Sequence, residues 1–370
     1  MPTCDTTGRS SLSSVSEIPQ GSKADQDRLI GIDSLRFVCA FVVLLGHFSL
    51  SGERLNGNLE NGITRIAIGI WNCLFNGPAA VIVFFVVSGL CIHFPYRSGR
   101  PVMPLPFYSR RFLRIIPPAL FFIGILKLIL KDDSSIQETV LWSVLCEAVY
   151  YLIYPLLFAI RKRSSWALMI GVSYACAAIG IVTHLSALQS SSHSYTALGF
   201  ATWIVGLPCW LLGCWLAENY QRFAVLGPAQ IWIIRAAIFS ISVVLRLAKF
   251  HIVSAFGSNC ILLDPFAILV CAWVGLEIVY AQKHAPSSIL ESAGRWSYSL
   301  YLVHPLVIPL LALTGIATLG WYPKVHLLLL LVALGASYLF YLAVESPSHR
   351  LAVWVGRFIS KRRYVPVQLI

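Results

Sequence analysis

The first apolar stretch of the chain carries one arginine and one histidine, Arg36 and His47, eleven positions apart. An α-helix turns by about 100° and rises by about 1.5 Å per residue, so eleven steps bring His47 back to within about 20° of Arg36, roughly 16 Å further along the axis. One face of one membrane helix thus holds a permanent cation at its edge and a titratable imidazole deep inside. Ionisable groups at membrane depth are costly and mark functional paths. Two readings fit the pair. In the structural one, Arg36 anchors the helix and pairs with Asp33, three residues back, while His47 is a hydrogen-bonded packing residue. In the chemical one, Arg36 holds an anionic ligand and His47 serves as general base on a hydroxyl, imidazole being the side chain that titrates nearest neutrality.

Four further clusters could share that chemistry. In Arg110-Arg111-Phe112-Leu113-Arg114-Ile115-Ile116-Pro117-Pro118, Arg111 and Arg114 share a helical face. The double proline is expected to break the helix, leaving a short interfacial turn before a membrane helix that starts at the prolines. A guanidinium fork matches phosphate oxygens, so these arginines suit either phosphate binding or head-group anchoring. Glu147, in Trp142-Ser143-Val144-Leu145-Cys146-Glu147, is an acid well inside an apolar helix and needs a partner there. If Trp142 marks the outer interface, Glu147 lies at a depth comparable with His47. It would then orient the imidazole as in a His–acid pair, or form a structural ion pair with an arginine. Ser88 and Gly89 are small residues in the bulky run Phe84-Phe85-Val86-Val87 and fit close helix packing or the lining of a cofactor channel. Ser297, Tyr301 and His304 recur at i, i+4 and i+7, a polar stripe turned into a bundle.

The elements that must position these groups are membrane helices. The chain of 370 residues is 57% hydrophobic and 12% charged, about half the charge of a soluble domain. Apolar runs near 35–51, 74–95, 115–131, 138–160, 166–187, 197–217, 229–250, 260–281, 297–316 and 324–344 predict an all-α, polytopic bundle of about ten transmembrane helices. With the N-terminus inside, twenty of the 28 Lys and Arg residues fall on cytoplasmic segments, so both termini are expected in the cytoplasm. The net charge of +12 is then chiefly a topology signal. No basic patch interleaved with aromatics argues for nucleic acid. The ten cysteines are scattered without a CxxC, so neither a disulfide framework nor a metal site is expected.

Residues 1–28, rich in Ser and Thr, read as a disordered cytoplasmic tail, 29–350 as the membrane domain and 351–370 as a basic cytoplasmic tail. Asn76-Gly77-Pro78 reads as a breaker. A polar loop over 52–65, the acidic turn Asp132-Asp133 and a Ser-rich turn at 189–194 are expected outside. Glu345-Ser346-Pro347 is expected to close the last helix. No internal repeat appears, which weighs against a transporter built from duplicated halves.

Taken together and in this order, the segments resemble the bacterial acyltransferase family 3, integral membrane enzymes that modify carbohydrates. The matching text is Asp33-Ser34-Leu35-Arg36 with His47, Phe84-Phe85-x-x-Ser88-Gly89, Arg110-Arg111-x-x-Arg114-Ile115-x-Pro117, Trp142-Ser143-x-x-x-Glu147, Ser297-Tyr298-x-x-Tyr301-x-x-His304-Pro305 and Glu345-x-Pro347. It spans about residues 30 to 350; Ser34 departs from a frequent glycine. The resemblance implies an acyl-CoA donor, usually acetyl-CoA and otherwise a group such as succinyl, with no permanently bound cofactor. It implies a sugar hydroxyl as acceptor, on a polysaccharide or lipid-linked precursor, at the bacterial inner membrane. The family's functional residues fall on Arg36, His47, Arg111 and Arg114. On this reading Arg36, Arg111, Arg114 and Ser88 serve the donor, His47 and Glu147 the chemistry, and Tyr301 and His304 the acceptor. No appended hydrolase-like domain is expected, which makes exopolysaccharide the first expectation for the acceptor. The alternative is a transporter or flippase of a lipid-linked saccharide, using the same charges for an anionic passenger.

Overall fold

The computed structural model describes residues 29–47, 62–131, 139–190, 195–252, 259–313 and 323–362. The expected tail at 1–28 and the acidic turn at 132–133 lie outside them, as do 52–61 of the polar loop expected over 52–65 and 191–194 of the turn expected over 189–194; the remainders, 62–65 and 189–190, are helical instead. Every element among the described residues is helical. In chain order these are α1 (Ile32–His47), α2 (Gly62–Leu74), α3 (Gly77–His93), α4 (Pro104–Gly124), α5 (Leu141–Arg161), α6 (Trp166–Thr183), α7 (Leu185–Ser190), α8 (Thr202–Asn219), α9 (Pro228–His251), α10 (Asn259–Lys283), α11 (Ser288–Gly294), α12 (Ser297–Ala312), α13 (Pro323–Phe340) and α14 (Ser346–Arg362). Among the described residues, eight stretches are long and apolar enough to cross a membrane. α1 and α12, sixteen residues each, are shorter. Each of the ten expected spans falls on a helix, and the chain is an all-α, multi-pass membrane bundle.

The centre of the bundle is the crossing of α3 and α8, most of whose residues are buried. Their backbones touch. A methyl group on Gly89 would lie 1.9 Å from the Trp210 carbonyl oxygen, and one on Gly213 would lie 1.9 Å from that of Val86. Only glycine permits this approach, the way small residues bring membrane helices together. α1 lies on α3 and is flanked by α11 and α12. The periphery inverts the rule for soluble proteins: Leu120, Leu128, Leu152, Leu156 and Ile233 are exposed on long helices, as lipid-facing side chains must be.

The breaker at Asn76 behaves as its sequence suggests. α2 ends at Leu74, and the Asn76 side chain accepts from the Ala79 N–H at 3.3 Å to cap α3. The double proline does not. α4 runs unbroken from Pro104 through Pro117 and Pro118, then passes into a π-helical turn at Ile125–Ile129. Pro117 has no N–H to give to the carbonyl of Leu113, but the Ser348 hydroxyl of α14 donates to that oxygen. α14 lies along α4, so a distant helix supplies the bond that the proline withholds. Glu345-Ser346-Pro347 does not close a helix either. The chain passes through a π-turn at Tyr341–Glu345 into α14, which is helical as far as Arg362. Pro347 follows the π-turn directly, in a helix that runs continuously from Leu327 to Ser360.

Candidate active site

Arg111 and Arg114, three apart on α4, turn one face toward Arg36 of α1. The three guanidinium groups line one cavity of about 100 Å³, together with Ser88, Glu147 and Tyr151. Arg36 keeps Asp33 at 3.8 Å, so the structural pairing and the cavity position hold together. Among the described residues, neither Arg111 nor Arg114 has a hydrogen-bond or ion-pair partner; both are half-buried. The charges of Glu147 and Glu345 act on Arg36, and that of Glu345 on Arg114, so three cations and their nearby acids share this part of the bundle. Arg110 belongs elsewhere. Its side chain lies over Gly356 of α14, where an added methyl group would meet its Nε at 2.4 Å.

Glu147 is held by hydroxyls. Ser88 Oγ donates to its Oε1 at 2.5 Å, and the Tyr151 hydroxyl, one turn along α5, donates to the same oxygen. Trp210 Nε1 of α8 in turn donates to Ser88 Oγ at 3.3 Å. Ser88 is thus the joint that ties α3, α5 and α8 around the carboxylate.

This corrects the expected pairing of Glu147 with His47. Gly77 lies beside the Val43 backbone. Ser88 follows Gly77 by eleven residues, roughly 16 Å back along α3, while Arg36 lies seven residues, roughly 10 Å, back along α1. Ser88 and Glu147 therefore sit at the depth of the arginines. The ring against His47 is that of His304, with centroids 5.0 Å apart and planes tilted by 59°.

Tyr301 links the two levels. Its hydroxyl borders the arginine cavity, donates to the Val140 carbonyl at 3.1 Å and lies 2.7 Å from Ser143 Oγ. Its ring is 6.1 Å from that of His304. His304 is buried, and its Nδ1 lies 3.0 Å from the Leu300 carbonyl. A carbonyl only accepts, so Nδ1 carries the proton and Nε2 presents a lone pair. Among the described residues, that Nε2 is buried with no hydrogen-bond partner. The polar stripe predicted on α12 thus divides. Ser297 Oγ donates to the Gly294 carbonyl at 2.8 Å, while Tyr301 and His304 face the path between the arginines and His47.

Several participants were not singled out from the sequence. Tyr151 is four residues past Glu147 and could have been found by helical spacing. Tyr298, whose hydroxyl donates to the Ile115 carbonyl at 3.0 Å, stands in the matching text without an assigned role, and Trp210 gave no local signal. Glu345, read as a helix end, is a buried acceptor. Its Oε2 takes the N–H and hydroxyl of Ser299 at 3.1 and 2.5 Å.

Comparison with known proteins adds two findings. A family model described as an acyltransferase domain matches residues 29–343. The chain is also similar to "Acyltransferase MdmB" of Streptomyces mycarofaciens, with 26% identity over 375 residues, covering 88% of this chain and 92% of that protein. No solved structure matches.

Proposed function

The chain belongs to the acyltransferase family whose domain matches residues 29–343, and from that premise we propose that it moves an acyl group from acyl-CoA to a sugar hydroxyl at the bacterial inner membrane. Acetyl is the first candidate for the group and succinyl the second. The acceptor is a cell-surface polysaccharide, with exopolysaccharide first, or its lipid-linked precursor.

The observation that carries the reading is the convergence of Arg36, Arg111 and Arg114 on one cavity. Coenzyme A is anchored by its phosphates, and a guanidinium fork matches phosphate oxygens. With the nucleotide end held there, the pantetheine arm runs past Ser88 and Tyr301 toward His304 and His47. The path matches the roughly 16 Å of helix rise between Arg36 and His47. His47 takes the proton of the acceptor hydroxyl as the oxygen attacks the thioester carbonyl. The carbon–sulfur bond breaks, the coenzyme A thiolate leaves, and the proton passes from His47 to the departing sulfur. Glu147, fixed by Ser88 and Tyr151, helps set the charge balance of the donor cavity. His304, with its lone pair turned away from its own helix, receives a hydrogen bond from the acceptor.

The test is mass spectrometry of surface polysaccharide from a deletion strain complemented with wild type or with His47→Ala. The reading expects an acyl mass that is lost on deletion and restored by wild type alone. An unchanged acyl pattern with polymer held inside the cell would replace it with transport of a lipid-linked saccharide.

A further inference from the structure

Behind α1, on the side away from the arginines, lies a second and larger cavity of about 680 Å³. Arg36 borders the first cavity, whereas Leu35, Val38 and Val42 border the second. Facing them are Val83 of α3, Phe266 of α10 and Ile238 of α9. α9 packs mainly on α10, and the cavity occupies the gap between it and α1. Protein interiors hold few voids larger than a water molecule, and this volume falls in the range of ligand sites, about 300–1,000 Å³.

The lining is sorted along its length. At the end near Lys283 and the start of α1, the walls carry Arg235, Glu277, Tyr280 and His284; most of the remainder is apolar. The charges at that end cancel. Arg235 Nε and Nη2 donate to the two oxygens of Glu277 at 2.7 and 2.8 Å, and Trp273 Nε1 donates to the same carboxylate at 2.8 Å. Among the described residues that line this cavity, the one guanidinium is paired, so none is left for an anionic head group. At the far end, Asn76 already donates to the Ser242 carbonyl at 2.9 Å. Trp232, over which the Arg235 guanidinium lies, and Tyr280 are the amphipathic aromatics that sit at head-group level in membranes. α9 faces lipid along most of its length, with Ile231 its one fully buried residue, so the gap has a route to the bilayer.

We propose that this cavity is a binding site for a bilayer lipid of zero net charge, a zwitterionic glycerophospholipid. One acyl chain lies between α1 and the α9–α10 pair, and the head group rests beside the Arg235–Glu277 pair. The chain supports the back of α1, whose front carries Arg36 and His47. The proposal does not depend on which donor or acceptor the enzyme uses, and its test reads bound lipid rather than acyl transfer.

The full-length protein is reconstituted in vesicles of phosphatidylethanolamine and phosphatidylglycerol in equal parts, extracted, washed in delipidating detergent and weighed by native mass spectrometry. Wild type is expected to retain a single phosphatidylethanolamine. Val83→Trp and Val38→Trp fill the cavity from two walls and should retain roughly tenfold less. Leu156→Trp, on the exposed face of α5, should behave as wild type. A second measurement needs no variant: phosphatidylcholine with a diazirine on its acyl chain should crosslink to Val38 or Val42 of α1 and to α9 or α10. Loss of all lipid from wild type, equal retention in the filled variants, preference for phosphatidylglycerol, or crosslinks confined to the outer face around Leu156 would each overturn the proposal.

Discussion

Replacing Arg114 by alanine tests the donor site most directly. Arg114 lines the cavity with Arg36 and Arg111, and its charge acts on the buried carboxylate of Glu345. Its removal also takes a favourable charge away from buried Glu345, so the unfolding temperature is measured beside donor affinity to separate the two costs. A hydrogen bond to a charged partner nets about 1.5–3 kcal/mol. Because the group is half-buried and partly screened, about 1.5–2 kcal/mol is the fitting range, or roughly 10–30-fold in donor affinity. Arg111→Ala should cost a similar amount. The double variant should lose less than the product of the two, because both groups hold the same phosphates. The assay is acyl transfer by purified enzyme, with KM measured for acetyl-CoA and for S-acetyl-pantetheine, which lacks the phosphates. The loss should appear as a raised KM for acetyl-CoA and nearly vanish for the phosphate-free donor. The reasoning fails if acetyl-CoA affinity falls less than about threefold, or if both donors lose equally.

Other substitutions probe separate parts of the molecule. His304→Asn should lower turnover by about tenfold or more while leaving KM for the donor unchanged, since His304 faces His47 and not the arginines; a raised donor KM would move His304 to the donor side. Ser348→Ala leaves the Leu113 carbonyl without its donor and should cost about 1–2 kcal/mol, read as a lower unfolding temperature in detergent; an unchanged temperature would mean that α4 tolerates Pro117 unaided. Gly213→Ala drives a methyl group into the Val86 carbonyl and should cost about 3 kcal/mol or more, seen as loss of folded protein on size-exclusion chromatography; near-normal yield would show that α3 and α8 can part. Ser88→Ala removes one of the two hydroxyls that hold Glu147 and should reduce turnover with unfolding temperature shifted only slightly, and full activity would count against the carboxylate's role in the cavity.

Much of this protein is written locally in its sequence. Hydropathy and helix length are properties of single segments, so the all-α, multi-pass class could be read without a structure. Faces could be read as well: the 3.6-residue period puts Arg111 beside Arg114, and Tyr301 beside His304, whatever surrounds them. Depth could not. As an outer marker, Trp142 predicts Glu147 level with His47, yet the carboxylate sits at the level of Arg36 with Ser88 and Tyr151. The sliding of one helix along another is decided by backbone contacts such as Gly89 on Trp210 and Gly213 on Val86, between residues more than a hundred positions apart. Helix continuity escaped for the same reason. Two prolines and a Glu-Ser-Pro each look like a break, because the remedy for Pro117, the Ser348 hydroxyl on Leu113, lies 235 positions away. The sequence determined which residues could do chemistry and on which face each stands. Only the tertiary structure decided which of them meet, because meeting depends on how rigid helices are offset and rotated against one another, and no local pattern encodes that.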